Sequence, residues 1–294
     1  MKYVKKLIFL SLLIGLYFVF TSPQFQVLMG TKSGKHTTAD QKTYEAWWYR
    51  KAAEQGYAPG QYLLGLMLAR GWGGVQQDLK EAEKWFRKAA EQGELGSMNM
   101  LGEWYAEGRV FPQNYQEAAN WYKKAAEKGS CTAQFELGLL SAKGLGVQKN
   151  VDEAEKLFLQ ASKGYHIAHH VGKMFFWGNE LPKDFRKAAD WFFNDRIDES
   201  ESDLYLGRIF LQGGCGIQQD SFKAIRFFQK AAAKNHSQAQ YELGLIYYHG
   251  QAGKPDLQEA EKWFQKSASM GNASAQAQLK LMKQQDSLPA SKGN

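Results

Sequence analysis

The sequence has few of the residues that crosslink or interrupt a chain, with two cysteines and six prolines among 294 residues. CxxC pairs and the cysteine spacings of structural zinc sites are absent, so no redox motif or zinc module is predicted. GxSxG, HExxH and P-loop motifs are absent as well. An enzyme needs a nucleophile with its base, or an open metal site. We therefore predict that the protein is not an enzyme and that it needs no cofactor.

A concentrated basic face is also missing, although the formal net charge is +7. Residues 1–42 contain six lysines and one acidic residue and so carry +5, which leaves +2 for the remaining 252 residues. A near-neutral body lacks the basic patch that phosphate binding requires. Nucleic acid is therefore excluded as a partner.

The N-terminal segment combines three lysines, Lys2, Lys5 and Lys6, with a mainly apolar stretch from Leu7 to Phe20. These fourteen residues match the apolar part of a signal peptide and are fewer than the roughly 20 that span a bilayer. Residues 1–29 are predicted to be either a signal peptide or a retained N-terminal membrane anchor, and both alternatives remain open. In either case the lysines stay inside and the rest of the chain is exported. Residues 30–42 are polar and predict a linker.

What the sequence has in abundance is an internal repeat built around a Leu-Gly or similar pair. Its central glycines recur at intervals of 34 to 37 residues, at Gly65, Gly102, Gly138, Gly172, Gly207 and Gly244. A second glycine follows each of them by six residues and predicts the end of a first helix, helix A, in a left-handed conformation. A glycine inside a helix lowers helix stability by about 1 kcal/mol relative to alanine. We therefore expect a reason for it, namely that another helix crosses there with its backbone close.

A second amphipathic helix, helix B, is predicted in each repeat. An Asp or Asn precedes it as a helix N-cap, alanine follows four residues later, and an aromatic residue follows eight residues later. We interpret the alanines and aromatics as core. The segments "YEAWWYRKAAEQG" (44–56) and "ASAQAQLKLMKQQ" (273–285) match a single helix B and a single helix A. The solenoid is therefore predicted to cover residues 43–285, as a half repeat, six full repeats and a closing half, followed by a disordered tail at 286–294.

The pattern A-x-x-x-L-G-x-x-Y-x-x-G-x-G-V-x-x-D-x-x-K-A-x-x-W-Y-x-K-A-A-x-x-G resembles the Sel1-like repeat family, which is related to tetratricopeptide repeats. The resemblance implies an all-α fold, a right-handed α/α solenoid of helix-turn-helix repeats whose A helices line a concave surface. It also implies a role in protein–protein interaction, and in bacteria often a place in the envelope. With the N-terminal segment, this predicts the bacterial periplasm or the periplasmic face of the inner membrane, with the N-terminus cytoplasmic if it is not cleaved.

By analogy with tetratricopeptide repeats, concave positions lie at −6, −3, +1, +4 and +5 from the Leu-Gly glycine. Aromatic and arginine residues in such a groove are typical of binding hot spots. We therefore predict that a protein or peptide partner contacts a monomer, which touches the membrane only through residues 1–29. The predicted contact residues are His166, His169, Lys173, Phe176, Trp177, Leu204, Arg208, Tyr241, Tyr248 and His249.

Repeat 4 departs from the pattern, because Asp195-Arg196 replaces the Ala-Ala that closes other B helices. Helix B is therefore expected to end early. The following segment predicts an acidic loop of Asp195, Asp198, Glu199, Glu201 and Asp203. It is either a solvated loop of a degenerate repeat or a docking site for a basic partner, and it lacks the spacing of an EF-hand calcium loop.

Three histidines, His166, His169 and His170, open the same repeat at a spacing that could offer two nitrogens to a metal. However, no third ligand can be assigned, and His169 occupies the position of Tyr62 and Tyr241 in other repeats. It is therefore expected to pack as a half-buried ring, and no metal site is predicted.

These features together predict an exported scaffold or adaptor that binds a protein or peptide on the concave surface of the solenoid. The alternative is an inhibitor or immunity protein that captures a toxin or an envelope enzyme. The acidic segment of repeat 4 suits a basic toxin in that case.

Overall fold

The computed structural model describes residues 22–24, 27, 39–164, 166–195 and 197–286. The signal peptide or anchor predicted for residues 1–29 and the tail predicted for 286–294 lie almost entirely outside the described residues. The described ranges contain fourteen α-helices and one isolated β-bridge, between Gly214 and Ile217. None of these helices has both the length and the apolar character that a membrane crossing requires.

The helices form two compact units, residues 1–161 and residues 162–294. The first unit contains α1 (Ala39–Glu54), α2 (Ala58–Arg70), α3 (Leu79–Glu91), α4 (Leu95–Glu107), α5 (Tyr115–Glu127), α6 (Cys131–Lys143) and α7 (Val151–Ala161). The second contains α8 (Ala168–Trp177), α9 (Phe185–Phe193), α10 (Glu199–Gln212), α11 (Ser221–Ala233), α12 (Ser237–His249), α13 (Leu257–Ser269) and α14 (Ala273–Asp286). The prediction of an all-α repeat solenoid is confirmed. Helix α1 begins at Ala39, four residues before the predicted start of the solenoid.

Helix B begins in every repeat at the predicted Asp or Asn. The side chain of each accepts a hydrogen bond from a backbone N–H two or three residues later, which satisfies a donor that the helix itself leaves unpaired. The six N-caps are Asp78, Asn114, Asn150, Asp184, Asp220 and Asp256.

The core of each helix pair is built from the predicted alanine and aromatic positions of helix B. The alanines four residues after the N-cap are fully buried, and so are the aromatics eight residues after it, from Phe86 in α3 to Phe264 in α13. The position seven residues after the N-cap differs. Trp121 and Leu157 are buried there, whereas Trp85, Trp191, Phe227 and Trp263 keep one edge in solvent.

The Leu-Gly glycines are explained by close packing against an aromatic ring. A Cβ added at Gly102 would lie 2.6 Å from the ring of Tyr122, and one added at Gly172 would lie 2.7 Å from the ring of Phe192. The other four repeats show the same contact. The close neighbour is therefore a side chain of the following helix B, and the prediction of a closely crossing backbone is corrected.

Candidate functional site

The A helices of the second unit, α8, α10 and α12, lie side by side. His169 Nδ1 in α8 lies 3.1 Å from Ser202 Oγ in α10, and Arg208 Nη2 in α10 donates to Glu242 Oε1 in α12 at 2.8 Å. Most of the predicted contact residues therefore lie on adjacent helices. We call this surface, formed by α8, α10 and α12, the A-helix row.

Two predicted contact residues do not reach the surface. Phe176 is 3% exposed and stacks on Phe185 at 5.3 Å, while Leu204 is 4% exposed and packs in a cluster with Phe228 and Leu243. Both side chains point towards helix B rather than outwards. The prediction is corrected at these two positions.

Trp177 is the large apolar side chain that the row exposes, with 53% of its surface in solvent. Its ring contacts Phe176 edge-on at 4.8 Å and Tyr205 at 6.2 Å. Lys173 and Arg208 each place a cation 5.7 Å from the centre of the Tyr205 ring. We call Trp177, Lys173, Arg208 and Tyr205 the Trp177 patch.

The cations of the Trp177 patch have carboxylate partners inside the unit. Lys173 Nζ lies 3.4 Å from Glu201 Oε1, and the Nε and Nη2 atoms of Arg208 both donate to one oxygen of Glu242. These pairs hold the cations in place, because a guanidinium with two bonds to a carboxylate is fixed in orientation. Positive charge on the patch is therefore partly neutralised by α10 and α12.

The remaining predicted residues lie at the two ends of the row. His249 is exposed at the end of α12, with its ring edge-on to Tyr248 at 5.1 Å. Tyr241 and Tyr248 are half-buried and both contact the ring of Phe264. His166 is exposed and precedes α8, so it is not on the helix.

The acidic segment of repeat 4 is only partly a loop. Helix α9 ends early, at Phe193, as predicted, but Glu199, Glu201 and Asp203 lie in α10 and Asp198 precedes it. The buried Asp195 carboxylate accepts a hydrogen bond from Ser202 Oγ at 2.6 Å and further bonds from two backbone N–H groups. Glu199 pairs with Lys234, and Glu201 with Lys173. The prediction of an acidic loop is therefore corrected: three of its five acids lie in a helix, and Asp195, Glu199 and Glu201 have partners in the same unit.

The surroundings of these acids change their pKa values in opposite directions. Burial acts to raise the pKa of Asp195, but its hydrogen bonds from Ser202 and from the backbone, together with His169, hold it below the usual value. The pKa of Glu201 is likewise lowered, because His169 and Lys173 outweigh the effect of burial. Burial raises the pKa of Asp203.

The histidine cluster is also organised differently from the prediction. His169, Asp198 and Glu201 could each offer one ligand atom within 4.8 Å of the others, whereas His166 and His170 do not belong to this group. Glu201 already faces both His169 Nε2 and Lys173 Nζ at 3.4 Å. A cation there would have to displace the lysine, so we assign no metal. As expected, His169 is a half-buried ring, tilted against Phe192 at 5.7 Å.

The structure shows a second surface that the sequence reasoning missed. Phe193, Phe227 and Phe210 lie in contact on α9, α11 and α10, and Phe193 is exposed. A signal was present in the sequence. The position of Phe193, nine residues after the N-cap, is polar in four of the other five repeats, at Arg87, Lys123, Gln229 and Gln265.

Comparisons with known proteins agree with this architecture. A model of the Sel1 repeat matches residues 46–57, 58–94, 96–130, 132–166, 168–193, 200–236 and 237–272. The crystal structure of a Sel1 repeat protein from Oxalobacter formigenes superposes with a TM-score of 0.59 at 29% identity, over 88% of this chain and 76% of that one. A protective antigen present in uropathogenic Escherichia coli strains, which displays an SLR fold, gives a TM-score of 0.57 at 28% identity, over 89% of this chain and 64% of that one.

Sequence similarity to curated proteins is shorter. The alginate biosynthesis protein AlgK of Azotobacter vinelandii is 31% identical over 90 residues, which are 31% of this chain and 19% of that protein. The match thus spans less than a fifth of the length of that relative.

Proposed function

Because this chain belongs to the Sel1 repeat family, whose repeats mediate protein–protein interaction, we propose that it is an exported scaffold that holds a protein or peptide on the A-helix row of its second unit. The observation that carries this proposal is the exposure of Trp177 next to Tyr205, whose ring lies near the cations of Lys173 and Arg208. At 53% exposure, the side chain of Trp177 leaves much apolar surface in contact with water. A partner that covers this surface gains the hydrophobic free energy of removing it from water.

The Trp177 patch has the composition of an interaction hot spot. Tryptophan and arginine are among the residues that most often dominate binding energy, and the patch presents Trp177 and the partly exposed Arg208 next to the buried ring of Tyr205. The patch is also rigid, because Trp177 packs edge-on against Phe176 and Tyr205, and Arg208 is fixed by Glu242. A preformed surface spends little conformational entropy on binding. His249, Tyr241 and Tyr248 would extend the contact along α12.

Export rests on the N-terminal sequence. Lys2, Lys5 and Lys6 followed by the apolar stretch from Leu7 to Phe20 are typical of a signal peptide or an N-terminal anchor. The scaffold would then act in the periplasm or at the periplasmic face of the inner membrane, as a monomer without catalytic activity. Cell fractionation with N-terminal sequencing of the mature protein tests this. Recovery of the full-length chain in the cytoplasm would refute export.

The inhibitor alternative uses the same concave surface, and the acidic segment of repeat 4 was an additional feature that suits a basic toxin. Since Asp195, Glu199 and Glu201 are engaged by groups of the same unit, that motivation is weakened. The scaffold is therefore the function that we propose, and the inhibitor is a distinguishable outcome of its test.

The test is crosslinking in the native host, followed by purification of the tagged full-length protein and mass spectrometry. The Trp177→Ala variant is compared with Trp72→Ala, since Trp72 in the first unit is similarly exposed, at 56% against 53%, and also lies beside an arginine. We expect several envelope proteins to be captured by wild type and by Trp72→Ala but not by Trp177→Ala. A single stoichiometric partner would favour the inhibitor. Equal capture by both variants would refute the role of the Trp177 patch.

A further inference from the structure

The aromatic surface between α9, α10 and α11 forms an open groove of about 720 Å³. Phe227 is at its centre, T-shaped against Phe193 at 5.8 Å and stacked on Phe210 at 5.5 Å with the ring planes 4° apart. The groove lies on a different side of α10 from the Trp177 patch, because Phe210 follows Tyr205 by five residues, about 140° around the helix.

The groove adjoins the end of a short helix, α9. This helix has nine residues, whereas the next two B helices, α11 and α13, have thirteen each. Phe193 is the last residue of α9 and has 57% of its surface in solvent. Phe222 in α11 is also exposed, at a position where the other repeats carry Lys80, Gln116, Asp152, Arg186 and Gln258. Two outward positions that are usually polar thus carry phenylalanine on neighbouring helices.

Acidic side chains line the adjoining cleft, at Asp195, Glu199 and Asp203, whereas the described charged side chains that line the groove itself are basic. Lys223, Arg226 and Lys230 line it together with the three aromatic rings, and no carboxylate does. Lys230 lies over the ring of Phe227 at 4.9 Å and Lys223 over that of Phe210 at 5.4 Å. Lys223 is paired with Asp220 at 3.4 Å, whereas Arg226 forms no ion pair with a described residue. Positive charge therefore faces an apolar floor.

We propose that this groove is a second docking site, which binds an acidic peptide segment of a partner protein through one aromatic or aliphatic side chain. The volume is within the range of pockets that hold compact ligands. The rings supply apolar contact, and the three cations supply complementary charge that attracts carboxylates and rejects basic sequences. The occupant thus has the opposite charge from the basic partner that the acidic segment of repeat 4 suggested.

Selection from a phage library of random peptides on the full-length protein tests the proposal. We expect enrichment of acidic peptides that contain an aromatic or aliphatic residue, and binding that weakens as salt is added. Enrichment of basic peptides, or of none, would overturn it. Trp177→Ala should leave the binding unchanged, so failure here and failure of the scaffold proposal are distinguishable.

Two matched pairs of variants locate the site. Phe193→Gln introduces the residue that repeats 5 and 6 carry, and Leu159→Gln makes the same change at the equivalent position of repeat 3, where Leu159 is equally exposed at 57%. Arg226→Glu is paired with Lys84→Glu, which reverses a charge at the equivalent position of repeat 1. We expect Phe193→Gln and Arg226→Glu each to weaken binding by about tenfold or more, and both controls to bind as wild type does.

Two results would count against the peptide-docking proposal. Equal loss in a variant and its control would show that the peptide binds elsewhere, and would overturn the proposal. The same four variants are tested with vesicles of phosphatidylcholine and phosphatidylglycerol. Vesicle binding that depends on Phe193 and Arg226, without peptide binding, would assign the groove to an anionic membrane surface instead.

Discussion

The joint between α5 and α6 and the joint between α9 and α10 make the same turn by different means. After α5, the closing residues are small, Gly129 takes a positive φ of 89°, and Ser130 caps the next helix. After α9, which is four residues shorter, no glycine follows, and the Asp195 carboxylate binds Ser202 and lies near His169.

The difference shows that a repeat array can replace an apolar joint with an ionisable one. The first joint depends on close packing of alanines and on one left-handed glycine, and neither changes with pH. The second depends on a largely buried carboxylate that accepts its hydrogen bonds more strongly when it is ionised. The same segment follows the short helix α9, whose last residue, Phe193, lines the aromatic groove. The joint after α9 thus differs from the joint after α5 both in its dependence on pH and in the surface beside it.

The largest effect is expected from removing the carboxylate of the ionisable joint. Asp195→Ala leaves the buried Ser202 hydroxyl and two backbone N–H groups without their acceptor, which should cost about 2–3 kcal/mol. Asp184→Ala removes only the half-buried N-cap of α9 and should cost about 1 kcal/mol. Urea denaturation measures the loss, and hydrogen exchange locates it. Equal effects of the two variants would mean that the joint after α9 does not depend on Asp195.

A somewhat smaller loss of stability is expected from replacing a Leu-Gly glycine by alanine. It should be the same in both units, because the glycine packs against a ring in the same way in each. Gly102→Ala and Gly172→Ala both place a methyl group against a buried ring, at 2.6 and 2.7 Å, which should cost about 1–3 kcal/mol less the gain in helix propensity. Urea denaturation compares them. A much smaller cost for Gly172→Ala would show that the second unit packs more loosely than the first.

The smallest effect on the free energy of unfolding is expected from lowering the pH. The carboxylates near the joint after α9 should lose stabilising interactions, whereas protonation of Glu136 in the first unit should stabilise the fold. The pKa values of Asp195 and Glu201 are lowered by folding, so the stability they contribute is present above the ordinary carboxyl pKa and is lost as pH falls below it. Asp203, with a raised pKa, offsets part of this loss. In the first unit, burial and the nearby Glu103 raise the pKa of Glu136. Protonation of Glu136 therefore removes the unfavourable free energy of keeping its charge partly buried next to another acid.

Hydrogen exchange followed from about pH 6 to about pH 3 should therefore show α9 and α10 losing protection before α5 and α6. The Asp195→Asn variant should lower the stability at neutral pH and reduce this pH dependence. Glu136→Gln is the control in the first unit. Simultaneous loss of protection in both units would contradict the comparison.

Much of the fold could be predicted because its determinants are local and recurrent. The N-cap, the buried alanine, the ring and the terminal glycine of each repeat are fixed by residues a few positions apart. The positions of Phe176 and Leu204 could not be taken from analogy, because a small rotation of helix A moves a side chain from surface to core. Ala69, Ala106 and Ala142 occupy the position of Phe176 in repeats 1 to 3, and they hinted at close packing there.

The chemistry of repeat 4 was harder to predict, because it depends on residues that are distant in the sequence. His169 and Ser202 are 33 residues apart and belong to different helices. Whether Asp195 faces solvent or Ser202 is decided by where α10 begins, and the sequence offers two candidate N-caps there, Asp195 and Asp198. The aromatic groove was hard to predict for the same reason, because it brings together Phe193, Phe210 and Phe227 from three different helices.

The pattern of helix contacts has a consequence for how the chain reaches this structure. Within each described unit, the most extensive contacts of every helix are with its neighbours in the sequence. Such local contacts require little loop closure, and proteins of low contact order fold rapidly. A helix pair can therefore form while the rest of the chain is still being synthesised, and structure can then propagate from it. A chain destined for export would in that case need to be kept unfolded before it crosses the membrane.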